Sequence, residues 1–372
     1  MRSGVLWMVL ATSLFAQPKR ARDLEVPFDG TPGALNAITD IAGVEVGHTT
    51  LIEGDSIRTG VTVVWPRGKQ SDDPTFGGWF SQNGNGEMTG TTWLEESGFL
   101  EGAVFITNTH SVGVVRDASI HWQVDHKRKL AVNSFGDDFW SLPIVAETWD
   151  GRLNDINGFH VKPEHVYHAM DSAGSGPVPE GNVGGGTGMV CFGFKGGIGT
   201  SSRVAGAYKV AALVQCNCGS KKQLRIAGVP VGQELSGPAT ASVVKPDGDV
   251  GSIIIVIATD APLLPTQLKR LARRATMGLS RMGATSGNGS GDIFIAFSTA
   301  NANSAKPSGS VANLSMLPND SLNPIFEATV QATEEAITNA LVAAEDMTGV
   351  NGHKVTALPH DDLQRLLKKY NR

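Results

Sequence analysis

Ser252 follows Gly251 at the head of Ile253-Ile254-Ile255-Val256-Ile257, which puts a hydroxyl at the first position of an apolar run. If the peptide bond before it were cut, this serine would carry both a nucleophilic Oγ and a free α-amine able to act as its own base. The same residue also reads as an ordinary serine where a turn enters a strand. A second constellation, Asn288-Gly289-Ser290-Gly291-Asp292, precedes the apolar run Ile293–Ser298. Residues i and i+2 share a face of a strand, so the Ser290 hydroxyl and the Asp292 carboxylate face one space, where they could orient a nucleophile. An Asx-type turn closing onto a strand is the alternative there.

Other chemical patterns do not hold. The glycine-rich stretches 181–188 (GNVGGGTG) and 195–199 (KGGIG) would expose successive N–H groups. Neither fits G-x-x-x-x-G-K-[ST] or opens a helix with dinucleotide spacing, so they read as tight turns or a backbone wall around a small substrate. His160, Glu164, His165 and His168 crowd one segment without H-E-x-x-H or H-x-x-E-H. Pro163 starts a helix there with no third ligand in view, so these histidines read as surface or capping groups. Ser242-Val243-Val244-Lys245 matches S-x-x-K, but Pro246 follows where that chemistry needs a helix. No G-x-S-x-G is present. Neither a metal nor a cofactor is expected.

The elements that must position these groups are mostly strands in the first two thirds of the chain. Apolar and β-branched runs bounded by glycine predict strands within 36–66, then at Ala103–Asn108, Pro143–Glu147, Met189–Phe194, Val204–Cys216 and Ser252–Thr259. Leu264, Leu268, Leu271, Ala275 and Leu279 repeat with helical spacing between Pro265 and Gly283. A second helix follows Pro324, with Phe326, Val330, Ile337 and Leu341 on one face and Glu334 and Glu335 toward water. This mix predicts a layered α+β domain. The stretches 231–250 and 301–310 read as soft connections, the first ending at Gly251-Ser252.

The 372 residues include 45 glycines, against an ordinary share of about 7%. They have no three-residue period, which excludes a collagen-like chain. The balance of 31 Lys and Arg against 36 Asp and Glu supplies no basic face, so a nucleic-acid partner is not expected. Met1-Arg2, the apolar stretch 4–16 and Gln17-Pro18-Lys19-Arg20 follow the order of a secretory signal cut near Ala16, which predicts a periplasmic or secreted protein; no later run reaches a membrane span. Of the three cysteines, Cys216 and Cys218 point the same way on a strand and pair poorly. Cys191 could pair with either, and buried free thiols are the expectation.

Residues 251–265 (GSIIIVIATDAPLLP), with the segments 83–90 (NGNGEMTG), 106–113 (ITNTHSVG), 147–158 (ETWDGRLNDING), 180–189 (EGNVGGGTGM) and 195–203 (KGGIGTSSR), resemble the autoproteolytic serine aminopeptidases. That family is typified by beta-peptidyl aminopeptidase and the L-aminopeptidase/D-alanine esterase-amidase. The likeness runs over about residues 25–365. It implies a four-layer αββα sandwich like that of the N-terminal-nucleophile hydrolases, with a different connectivity. It also implies a self-cut before Ser252 into an α chain, 17–251, and a β chain, 252–372, that stay together as one catalytic domain.

Carried over by motif, the likeness makes Ser252 the nucleophile, supported by Ser290 and Asp292, although the supporting acid is glutamate in a well-known member. It makes Asn217 the oxyanion donor and Glu147 the acceptor of the substrate's free amine. Trp149 falls where some relatives have tyrosine, and substrate choice would turn on the pocket around Glu147, Trp149, Phe135, Phe139 and Trp140. The implied reaction is an acyl-enzyme on Ser252 formed from a peptide, amide or ester and resolved by water. The likeness also suggests a homo-oligomer. The alternatives are an acyltransferase of the ornithine acetyltransferase type, which uses threonine, and an exported amine-binding protein that stays one chain.

Overall fold

The computed structural model describes residues 19–128, 139–236, 251–305 and 311–372. The strands are β1 Glu45–Glu53, β2 Ile57–Trp65, β3 Thr75–Gly84, β4 Phe99–Leu100, β5 Val104–Asn108, β6 Ile144–Thr148, β7 Val190–Cys191, β8 Phe194–Lys195, β9 Gly197–Ala205, β10 Tyr208–Asn217, β11 Ser252–Thr259, β12 Gly291–Ser298, β13 Met347–Thr348 and β14 Lys354–Val355. The main helices are α1 Thr91–Ser97, α2 Val112–Asp125, α3 Pro163–Asp171, α4 Val231–Glu234, α5 Pro265–Arg281, α6 Asn323–Val342 and α7 His360–Lys369.

Two sheets form the centre. One has the order β1-β2-β5-β6 and the other β4-β3-β12-β11-β10-β9. Two parallel pairs, β5 with β6 and β11 with β12, are joined through α2 and α5, because parallel neighbours require a long crossover. Between the sheets, Val64, Ile106 and Ala146 meet Leu213, Ile254, Val256 and Ile295. On the far side of the six-stranded sheet, Ile253, Ile255, Ile257 and Phe294 pack under Leu268 and Leu271 of α5 and Ala336 and Ile337 of α6. Val61, Val63, Phe105 and Val145 pack under α2 and α3. The result is the αββα order of layers. Strand β11 is buried on both faces, which accounts for its unbroken apolar run.

Helix α5 runs between its expected start and stop. Gly283 beyond it has φ +93°, and a methyl group there would stand 1.9 Å from the Gln223 carbonyl oxygen. Two expectations are corrected. The run Val204–Cys216 is not one strand: the chain turns at Gly206, φ +65°, so that β9 and β10 form a hairpin. The stretch Met189–Phe194 is a tight hairpin of two-residue strands, turning through Phe192 and Gly193 at positive φ.

Glu335 also departs from the expectation that it faces water. It is fully buried, because α6 is covered on both sides. Its carboxylate accepts from Arg203 at 2.6 Å, Arg22 at 2.8 Å and Asn36 at 2.6 Å. Burial alone would raise its pKa. The Arg22 hydrogen bond and the Arg203 charge outweigh that and hold it below the usual carboxylate value. Among the described residues, no helix is long and apolar enough to cross a membrane. The signal-like stretch 1–16 lies outside the described residues, as do 237–250, which hold Ser242 and Lys245, and 306–310.

Candidate active site

Strand ends from both sheets converge on Ser252. As the first residue of β11 it stands opposite Asn217, the last residue of β10, and beside Gly291, the first residue of β12. Ser252 is 6% exposed, and its Oγ accepts from the Gly291 N–H at 3.2 Å. The same N–H lies 3.2 Å from the Gly251 carbonyl oxygen, so one donor serves both the hydroxyl and the carbonyl of the bond before it. Gly251 could hardly be another residue: a methyl group there would stand 2.1 Å from the Asn217 carbonyl oxygen and 2.6 Å from the Cys218 Cα.

Ser290 and Asp292 flank Gly291. The Ser290 hydroxyl donates to Asp292 Oδ1 at 2.6 Å, and both side chains are buried. The shorter Asp292 therefore reaches its serine. The Asn217 amide is held at both ends. Its Oδ1 accepts from the Val190 N–H at 2.8 Å, and its Nδ2 donates to the Trp149 carbonyl at 2.9 Å. One Nδ2 hydrogen is left over for a substrate oxygen.

Glu147 approaches from the other sheet, near the end of β6. It is 3% exposed, accepts from the Glu87 N–H at 3.0 Å and also accepts the Thr109 hydroxyl. Burial raises its pKa. Those two hydrogen bonds and the His110 charge oppose the rise, and the Glu87 carboxylate adds to it. Gly86 carries the backbone between the two halves of the site: a methyl group there would lie 3.2 Å from the Gly291 Cα and 3.3 Å from Glu147 Oε1. The Glu147 carboxylate and the strand starts at Ser252 and Gly291 thus border one small space.

Of the expected aromatic residues, Trp149 stands next to this space with its side chain half exposed. Trp140 packs on Trp93 of α1, ring centroids 6.3 Å apart, and Phe139 is partly buried. Phe135 lies outside the described residues. Sequence reasoning passed over Thr109, Glu87 and Val190, which hold the Glu147 and Asn217 side chains. Thr109 and Glu87 sit in motifs already singled out, but nothing in their spacing says that both end on Glu147.

Behind the site, Asp150 is fully buried among Thr59, Asn154 and Asn108, and burial pushes its pKa up to about 7. Lys195 is also fully buried, donates to the Gly196 carbonyl at 2.7 Å, and is pushed down to about 7 by desolvation. The glycine triad 184–186 is buried between the sheets, where a methyl group at Gly185 would meet Gln215 Oε1 at 2.2 Å; close packing is its role. His165 caps its own helix from the Lys162 N–H, and His168 meets the Thr49 hydroxyl.

The cysteine expectation is corrected. Cys191 and Cys216 form a disulfide, with Cα atoms 5.6 Å apart, because the β7 hairpin lies against the end of β10. Cys218 lies next to it, Sγ to Sγ 4.0 Å from Cys216.

The model of peptidase family S58 matches residues 36–355. The chain is 57% identical to beta-peptidyl aminopeptidase BapA of Sphingosinicella microcystinivorans, over 98% of this chain and 96% of that protein. It superposes on the L-aminopeptidase D-Ala-esterase/amidase of Ochrobactrum anthropi with TM-score 0.85 at 47% identity, covering 95% of this chain and 99% of the other; that structure is described as a prototype for the serine aminopeptidases and a variant of the Ntn hydrolase fold. A Burkholderia sp. beta-aminopeptidase superposes equally, TM-score 0.85 at 46% identity, covering 94% and 99%.

Proposed function

Starting from the premise that this chain belongs to peptidase family S58 and is a serine aminopeptidase, we propose that it activates itself by cutting before Ser252 and then removes N-terminal residues through an acyl-enzyme on that serine. The observation that carries this reading is the Gly291 N–H, which reaches both Ser252 Oγ and the Gly251 carbonyl oxygen. A donor there polarises the carbonyl that Oγ must attack. Attack forms a C–O bond to Gly251 as the Gly251–Ser252 C–N bond breaks. Water then hydrolyses the ester, leaving a carboxylate on Gly251 and a free α-amine on Ser252.

In the mature enzyme Glu147 receives the substrate's ammonium and Ser252 Oγ attacks the nearest carbonyl. The new α-amine of Ser252 carries the proton from Oγ to the leaving group. Asn217 Nδ2 donates to the oxyanion, a contribution on the order of 3 kcal/mol, while Ser290 and Asp292 fix the turn that carries Gly291. Likeness to a beta-peptidyl aminopeptidase favours substrates that begin with a β-amino acid. Residues 1–16 direct export, and the cut units assemble into a homo-oligomer. The match to a peptidase family leaves the acyltransferase and binding-protein alternatives without support.

On a denaturing gel the wild type gives two bands, the smaller starting at Ser252, and Ser252→Ala gives one. A Ser252→Ala protein that still splits refutes the assignment. Side-by-side rates on a β-alanyl and an L-alanyl anilide decide substrate class, and a faster L-alanyl reaction refutes the β preference. Sedimentation of the cut protein at the mass of one αβ unit refutes the oligomer.

A further inference from the structure

Three consecutive residues of the β7 hairpin grip three consecutive residues around Asn217. The Val190 N–H donates to Asn217 Oδ1 at 2.8 Å, Cys191 is bonded to Cys216, and the Phe192 N–H donates to the Cys218 carbonyl at 2.7 Å. The disulfide is the middle and only covalent link of this interlock. The strands of the hairpin are two residues each, too short to fix its position alone. Its further backbone ties are the Lys195 N–H to the Thr356 carbonyl, 2.8 Å, at the far end of the hairpin, and the Gly196 N–H to the Met189 carbonyl, 2.9 Å, which closes the hairpin on itself beside Val190, while Phe192 and Phe194 pack in the core. If the hairpin shifts, Asn217 Oδ1 loses its donor, and the amide can rotate about its side-chain bonds until its remaining Nδ2 hydrogen no longer points at the reacting carbonyl.

We infer that the Cys191–Cys216 disulfide is a positioning element for the reaction, holding the Asn217 amide in its donating orientation so that turnover depends on the bond being formed. The inference rests on the reading of Asn217 as oxyanion donor. A misplacement of about 1 Å at a catalytic group costs up to about 100-fold in rate. An amide that donates only in the transition state affects kcat rather than KM.

The experiment compares Cys191→Ser, Asn217→Ala and the double variant on one amide substrate. Alkylation of the denatured wild type is expected to label one cysteine without reductant and three with it. Cys191→Ser is expected to lower kcat at least about 10-fold with KM within about twofold, and Asn217→Ala to lower kcat about 100- to 1000-fold. In the Asn217→Ala background, adding Cys191→Ser is expected to change kcat less than about twofold, since the disulfide acts through that amide. If Cys191→Ser fails to fold or to cut itself, reduction of the already cut wild type with a phosphine must give the same loss in kcat, reversed on reoxidation.

Three labelled thiols without reductant, or an unchanged kcat in both Cys191→Ser and the reduced enzyme, overturn the inference while leaving the role of Asn217 intact. So does an equal loss from Cys191→Ser in both backgrounds, which marks a general structural effect. An Asn217→Ala enzyme with undiminished kcat refutes the reading of Asn217 itself.

Discussion

Glu147→Gln separates the chemistry of the site from its stability most sharply. Gln is nearly isosteric, and the surroundings can take it. The amide oxygen can accept from the Glu87 N–H, and the Thr109 hydroxyl can turn from donating to accepting from the new NH2. On the proposed role of Glu147, the loss is the charge that would meet the substrate ammonium. A hydrogen bond to a charged group contributes about 1.5–3 kcal/mol, and 1.4 kcal/mol is tenfold, so kcat/KM should fall about 10- to 150-fold on substrates with a free amine. Stability should move the other way. Burial raises the folded-state pKa of Glu147, so above the unfolded carboxylate value its charge destabilises the fold. The Gln variant escapes that cost at neutral pH, melts at an equal or higher temperature, and loses this advantage as pH falls below the ordinary carboxylate range. The acid limb of kcat/KM, which in the wild type rises with pH as Glu147 ionises, should be missing from the variant. Anilide kinetics across pH, with thermal melts of the same samples, check all three. A variant whose kcat/KM stays within threefold of wild type would refute the reasoning.

Further outcomes follow from the same geometry. Gly251→Ala should accumulate as uncut chain on a denaturing gel, because a methyl group 2.1 Å from the Asn217 carbonyl oxygen displaces the bond to be cut. In the uncut Ser252→Ala background, Glu335→Ala should cost about 3–5 kcal/mol in urea unfolding, since it strands the buried Arg203. That deficit against the Ser252→Ala parent should shrink as pH falls through the depressed pKa of Glu335, where the parent loses the same charge. Lys195→Met should raise the melting temperature below pH 7 and lose the gain toward the ordinary lysine range. There the unfolded state also sheds its proton and the cost of burying the charge disappears.

The features legible in the sequence were those that depend on near neighbours. The apolar run after Ser252, the period of α5 and the two-residue spacing of Ser290 and Asp292 each describe contacts made within one element, and each reappears in the structure. Pairings set by the packing of distant elements were not legible. Glu335 reads as a solvent residue until Arg22 and Arg203, more than a hundred positions away, are brought onto it. Cys191 and Cys216 lie 25 residues apart, and only the folding-back of the β7 hairpin makes them neighbours. The site itself was legible as separate motifs. That β6 of one sheet brings Glu147 toward the start of β11 in the other is a property of the sheet packing, which no spacing along the chain encodes.

If the chain is cut before Ser252 as proposed, the order of the six-stranded sheet, β4-β3-β12-β11-β10-β9, sets the lifetime of the product. The two strands that the smaller chain would contribute to this sheet lie in the middle, paired on one side with β3 and on the other with β10, and neither reaches an edge. Release of that chain therefore requires tearing two ladders at once through a fully buried core. The mature molecule should resist dissociation at any dilution, its persistence set by an unfolding rate rather than by a binding constant. Once unfolded, the two fragments face a bimolecular search that the uncut chain never faced, because their connection through residues 237–250 kept the strands together. The intact precursor is thus the only form that assembles readily. On that reading, cutting would turn a reversible fold into a one-way product that lasts until its first complete unfolding.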